Sequence, residues 1–461
     1  MMSRMQTVSP IDGRVVVARD YASDDQLARA IAHAVVALKD WRRLTLAERM
    51  TLIRAGVDNV LADEAELARD ITLQMGRPLS QTPGEIAGFG ERARHMIGLA
   101  EEALAPIQLP AKDGATRFIT RDAVGVVLTI APWNYPLLTA VNSIVPALLA
   151  GNAVLLKPSD QTPTSAERVV EAFVRAGVPA GVFQFVHATH EQVAQMMRSP
   201  EIGYVSFTGS VQGGVAIETQ AAGRFIGTGL ELGGLDAAYV RADADVEAAV
   251  ESIVDGAYFN AGQSCCGIQR IFVARTVYDD FVERASALAS RYVLGDPMSP
   301  DTTLGPVVRA SSADRVRAAV AQAVAQGAVN TIDAARFKKA QPGTAYVAPA
   351  LLTVPHTQWA IMREECFGPV ACVMPIDDDA AAMAAINDCD FGLTAAIYTR
   401  DMPTAITLGQ QLDVGTVFMN RCDYLDPGLA WTGVKQSGNG VSLSILGFGP
   451  LTQPKSFHLR A

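Results

Sequence analysis

The chain has 461 residues, 49% hydrophobic and 19% charged, with a formal net charge of −10. This is the composition of a folded globular chain long enough for two or three domains, and its acidic balance excludes a basic nucleic-acid footprint. No 18-residue apolar run points to a membrane span, and Met1 to Pro10 lacks the apolar core of a signal peptide.

In chain order, residues 24–72 read as helical. Ser23-Asp24 can cap the first helix, where Leu27, Ile31, Ala34, Val35 and Leu38 recur at three- and four-residue spacing. A second amphipathic segment spans about Leu46 to Leu73, and a third helix residues 84–104. From residue 124 the rhythm changes. Val124 to Ile130 reads as a buried strand, followed by a Pro-rich corner and a helix through Leu149. Ala153–Leu156, Val182–Val186 and Tyr204–Phe207 are further strands, with a helix from Pro163 to Ala176. Strands alternating with helices predict βαβ units and a parallel sheet. The second half repeats the style. Strands are expected at Ala237–Val240, Ile271–Val273, Thr394–Tyr398 and Thr416–Met419, and helices at 245–258, 276–292 and 312–327. Residues 330–345 read as a surface loop, and Leu451 to Ala461 as an edge strand.

Chemistry-bearing residues fall where such sheets place ligands, at strand ends. Cys265 ends Phe-Asn-Ala-Gly-Gln-Ser-Cys, and Glu231 opens Glu-Leu-Gly-Gly 34 positions earlier. A thiol can add to a carbonyl carbon, and a carboxylate can then activate water against the adduct. Taken singly, Cys265 reads better as a buried structural cysteine, and Glu231 slightly better as a surface residue in a Gly-rich loop. Asn134, in Pro132-Trp-Asn-Tyr-Pro136, offers an amide donor on a rigid corner; it can stabilise an oxyanion or merely serve a turn. Lys157 and Asp160 follow a strand and suit a ribose or phosphate, though a solvated lysine is the plainer reading. Gly209, Ser210 and Gly214 open a helix whose N-terminus suits a pyrophosphate. Glu365 and Phe367, in Glu-Glu-Cys-Phe-Gly-Pro, suit a ribose diol and a nicotinamide ring, or a turn with a buried ring. The six cysteines show no metal-ligand spacing, so no metal is expected; they fit a reduced, cytoplasmic chain.

In this order these motifs resemble the NAD(P)-dependent aldehyde dehydrogenase superfamily, from Pro10-Ile-Asp-Gly13 to the tail. The resemblance implies an α/β fold with a Rossmann-type cofactor domain (1–104 and 125–230), an α/β catalytic domain (231–435) and a small β oligomerisation arm (105–124 and 445–461). It implies Cys265 as nucleophile, Asn134 and the Cys265 N–H as oxyanion hole, and Glu231 as the base that hydrolyses the thioester. It implies Lys157 and Asp160 as the adenosine-ribose clamp with Trp133 beside it. Gly209, Ser210 and Gly214 then form the pyrophosphate loop, and Glu365 and Phe367 the nicotinamide end. NAD is the expected cofactor, with NADP as second choice, because Asp160 would repel a 2′-phosphate. A homodimer or homotetramer acting on a small-molecule aldehyde follows from the same resemblance.

Departures stand out. Leu235 replaces a common Lys, and Trp431 lies in Trp-Thr-Gly-Val-Lys where Phe-Gly-Gly is usual. Gly440 is followed by Val441 and Ser442, without the frequent Arg-Glu. In members acting on succinate semialdehyde, arginines occupy the slots that are here Asn142 and Phe259. A carboxylate tail would then lack its partners. Tyr135, Leu138, Phe259 and Trp431 are expected to line an apolar entrance, favouring a neutral aliphatic or aromatic aldehyde. The alternatives are a semialdehyde dehydrogenase, a catalytically silent relative, a thiol hydrolase, or acyl transfer to coenzyme A, the last disfavoured by Glu231.

Overall fold

The computed structural model describes residues 4–460. Two sheets carry the molecule. The first has six strands, in the order Gly438–Asn439, Gly227–Glu231, Ile202–Thr208, Val126–Ile130, Ala153–Lys157 and Phe183–Phe185, all parallel except the first pair. The second has seven, in the order Val329–Asn330, Ala350–Thr353, Val370–Ile376, Ile268–Ala274, Asp236–Val240, Thr394–Tyr398 and Thr416–Met419, again parallel apart from the first pair. Strands such as Val126–Ile130 and Asp236–Val240 are buried along their whole length, as expected where helices cover both faces of a parallel sheet.

Only Leu232 to Leu235 separate the end of Gly227–Glu231 from the start of Asp236–Val240. This short link joins the carboxyl edge of the first sheet to the amino edge of the second. The expected site residues therefore converge. Asn134, Lys157, Gly209 and Glu231 come off strand ends of the first sheet, while Cys265, Glu365 and Phe367 precede strands of the second.

Helix Asp24–Trp41 starts at Ser23, whose hydroxyl accepts from the Gln26 N–H, and buries Leu27, Ile31, Ala34 and Leu38. The long segment expected from Leu46 to Leu73 is two helices, Leu46–Ala62 and Glu64–Met75. Asp63 breaks it: its backbone leaves the helical region, and its carboxylate accepts from Arg175 at 2.5 Å. The expected arm is a three-stranded antiparallel sheet of Thr452–Leu459, Ala115–Ala123 and Ile107–Lys112. Strands Ala350–Thr353 and Val370–Ile376 and the N-terminal hairpin Arg4–Val8/Val15–Asp20 complete what the hydrophobic pattern alone did not mark. Among the described residues no helix is long and apolar enough to cross a membrane, and all six cysteines are free thiols.

Candidate active site

The loop before the thiol is held in an unusual backbone. Asn260, Ala261 and Gly262 all have positive φ, at 52°, 55° and 69°. At Gly262 a Cβ would lie 2.1 Å from the Gly368 carbonyl oxygen, so glycine is required both by dihedral and by space. Arg77 anchors this loop to the Pro132–Pro136 corner. Its fully buried guanidinium donates to Glu85, to the Asn134 carbonyl and, at 3.1 Å, to Asn260 Oδ1, and it lies over the Tyr135 ring. Glu85 in turn accepts from the Leu137 N–H at 2.8 Å. The corner is thus fixed relative to the thiol, and the buried Asn134 amide donates to the Gln263 carbonyl at 3.1 Å. One N–H of that amide is used here and one remains.

Cys265 and Glu231 line one cavity of about 580 Å³, whose wall also holds Tyr135, Leu138, Asn142, Phe259 and Trp431. Burial raises the Glu231 carboxyl above its ordinary range; hydrogen bonds from Ser442 Oγ (2.6 Å) and Thr208 Oγ1 (3.1 Å) and the Arg92 charge oppose it. Ser442 stands where the sequence lacked the frequent glutamate, and a neutral hydroxyl donor there steadies the carboxylate instead of repelling it. Cys266 is buried, its thiol pushed up first by the hydrogen bond with Cys265 and then by burial. It donates to Asp423 at 2.8 Å, as does Ser264 Oγ at 2.9 Å, and burial pushes the Asp423 carboxyl up to about 6. Leu235, another departure, is simply buried.

The chain matches the family model described as "Aldehyde dehydrogenase family" over residues 2–457. It belongs to the aldehyde dehydrogenase family. It is 35% identical to betaine aldehyde dehydrogenase 2 of Rhizobium meliloti (strain 1021), over 98% of this chain and 93% of that one. It is 34% identical to a succinate semialdehyde dehydrogenase [NAD(P)+] of Escherichia coli (strain K12), over 96% and 95%. The solved aldehyde dehydrogenase of Brucella melitensis biovar abortus 2308 superposes with a TM-score of 0.95 at 30% identity, covering 99% of this chain and 94% of that one.

The candidate dinucleotide residues of this aldehyde dehydrogenase fit a nucleotide. Lys157 is buried, and among the described residues its ammonium meets only Asp160, at 3.4 Å, which leaves donors to spare. Asp160 also accepts from the Tyr21 hydroxyl at 2.5 Å, so part of the carboxylate is already engaged. Ser210 caps helix Val211–Ala221, accepting from the Gly213 N–H at 3.2 Å, and the helix start is open to an anion. Gly214 is buried against Leu232, so packing alone already demands its small size. Glu365 accepts from the Gly234 N–H at 3.0 Å, and burial pushes its carboxyl up to about 7. A Cβ at Gly233 would meet that carboxylate at 2.7 Å, so the glycine makes room for it. The Trp133 ring, expected beside the ribose clamp, lies edge-on to Phe367 with centroids 5.6 Å apart.

The sequence reading did not reach Arg92, Arg77, Ser442 or Asp423. The slots Asn142 and Phe259 do lack arginine, yet a cation enters the cavity wall from elsewhere: Arg92, on helix Thr82–Ala103. A signal was available. Glu85, Phe89, Arg92 and Met96 recur at three- and four-residue spacing on the buried stripe of that helix, and charges on an apolar stripe are the informative exception.

Proposed function

We propose that Cys265, Glu231 and Asn134 carry out the oxidation of an aldehyde to its carboxylic acid with NAD(P). The observation that supports this most is that Cys265 and Glu231 share one cavity while the Asn134 amide is tied to the loop bearing the thiol. The Cys265 thiolate adds to the carbonyl carbon, forming a C–S bond. The oxyanion so made accepts from the free Asn134 N–H and the Cys265 backbone N–H. A dinucleotide would be held by Lys157 and Asp160 with Trp133 beside them at its adenosine ribose, by Gly209, Ser210 and Gly214 at its pyrophosphate and by Glu365 and Phe367 at its nicotinamide end. It would supply the acceptor for the hydride that the adduct carbon loses as the oxyanion re-forms the carbonyl of a thioester. Glu231 then takes a proton from water as the water attacks the thioester, the C–S bond breaks, and the acid leaves with the thiolate restored. Cys265→Ala should reduce NADH formation to background across an aldehyde panel. Undiminished turnover in that variant would overturn the assignment, and a product that is an acyl-coenzyme A would overturn hydrolysis.

We also propose a division into a cofactor unit (1–104 and 125–230), a catalytic unit (231–435) and an arm (105–124 and 445–461); the two large sheets and the separate three-stranded sheet support it, and Gly438–Asn439, outside these ranges, returns to the first sheet. The arm's strand Ile107–Lys112 is exposed throughout, with Ile107 and Leu109 among the exposed apolar side chains, which supports a homo-oligomer. A monomer mass by light scattering would remove that reading.

A further inference from the structure

We infer that the aldehyde carries an anionic tail, and that Arg92 is the residue that binds it. This deepens the proposed function and rests on it, because the tail is placed in the same cavity as Cys265. Arg92 is buried at 8% exposure and lines that cavity. Its Nη1 donates to the Leu138 carbonyl at 2.6 Å and to Asn142 Oδ1 at 3.3 Å. Both acceptors are neutral. No carboxylate forms a salt bridge with it among the described residues, and neither Nε nor Nη2 makes a hydrogen bond there. A guanidinium has five N–H donors. The unengaged Nε–Nη2 edge is the one that meets a carboxylate through two parallel hydrogen bonds. Beside it, Asn142 Nδ2 is buried with no partner at hydrogen-bond distance among the described residues, and this amide faces Glu231, whose carboxyl it helps to hold down.

Burying a charge without a counter-charge is costly, and the cost is recovered when a ligand supplies the partner. Glu231 feels the Arg92 charge and attracts it in return, but no salt bridge joins them among the described residues, and the other charges on the wall are engaged elsewhere. Arg77 is consumed by Glu85 and by the corner. Glu231 accepts from Ser442 and Thr208, Asp423 from Ser264 and Cys266, and Glu91 from Tyr424. Glu91 and Asp255 are exposed, at the solvent rim. These acids make a cationic tail the rival occupant. The free guanidinium edge favours the anion, because the deep carboxylates accept hydrogen bonds from within while the Nε–Nη2 edge donates none among the described residues. The substrate class is an ω-oxo carboxylic acid or an aldehyde with an equivalent anionic end.

The test is a matched panel: ω-oxo acids of increasing length, the neutral n-alkanals of equal chain length, and the corresponding trimethylammonio-alkanals, with both NAD and NADP. Wild type should show the highest kcat/KM with one of the ω-oxo acids. In Arg92→Met the ratio of kcat/KM for that acid to its neutral partner should fall about 10²-fold, the scale of a lost pair of charge-assisted hydrogen bonds, chiefly through KM. Arg92→Lys, which keeps the charge but loses the planar fork, should fall in between and serves if the methionine variant does not fold. A wild-type preference for the neutral or the cationic series overturns the inference, as does a fall in both substrates by the same factor. No NADH from any aldehyde would instead overturn the proposed function itself, so the two failures are distinguishable.

Discussion

Two buried guanidinium groups stand in the wall of one cavity, and their surroundings are opposites. Around Arg77 the structure is closed: a carboxylate, two oxygen acceptors and an aromatic face use the cation up. Around Arg92 it is open: two neutral acceptors and an unused edge. The difference teaches how to read a buried charge. A charge satisfied from within holds the fold, and here Arg77 fixes the corner bearing Asn134 against the loop bearing Cys265. A charge left short of partners points outward, to something that arrives.

The comparison can be pressed from its strongest consequence downward. Glu231, between the two regions, is the most sensitive group. Glu231→Gln should lower turnover by about 10²–10⁴-fold, the usual worth of a positioned general base. Because burial raises its carboxyl and the base works deprotonated, wild-type turnover should fall as pH drops through that raised value. The glutamine variant should lose this acid limb; a limb that persists unchanged would assign the base elsewhere. Next is the closed region itself. Arg77→Met leaves Glu85 buried without its cation and should cost about 3–5 kcal/mol of stability. Arg77→Met combined with Glu85→Leu should recover much of it, whereas Arg92→Met, which breaks no salt bridge, should cost far less. Equal losses in urea unfolding for Arg77→Met and Arg92→Met would erase the distinction between the regions.

Smaller effects sharpen it. Ser442→Ala removes a donor to Glu231, worth about 1.5–3 kcal/mol for a charged acceptor. The Glu231 carboxyl should then titrate still higher, so the acid limb of the pH profile should move to higher pH while the alkaline plateau is kept. A uniform loss at all pH values would mean damage of another kind. The least effect is expected at Asp160, whose carboxylate is shared with Tyr21 and Lys157. Asp160→Ser should raise the NADP-to-NAD ratio of kcat/KM by only a few-fold, since part of its charge is already screened; no change in that ratio would remove Asp160 from cofactor choice.

The sequence by itself marked out the candidate reactive centre. Cys265, Glu231, Asn134, Lys157, Ser210 and Glu365 sit in short strings at strand boundaries, and a parallel sheet brings such boundaries to its edges. What linear order could not reveal was pairing. Arg77 and Arg92 are both arginines in one helical neighbourhood, fifteen positions apart, yet one is neutralised and the other is not. That outcome depends on Glu85, Asn134, Asn260, Leu138 and Asn142, which come from three separate stretches of chain. Ser442 likewise read only as a missing glutamate until its hydroxyl was found on Glu231. Local strings fix which chemical groups are present. Only the packing of distant segments decides which of their hydrogen bonds and charges are already spent, and the unspent ones at Arg92 define what the cavity can hold.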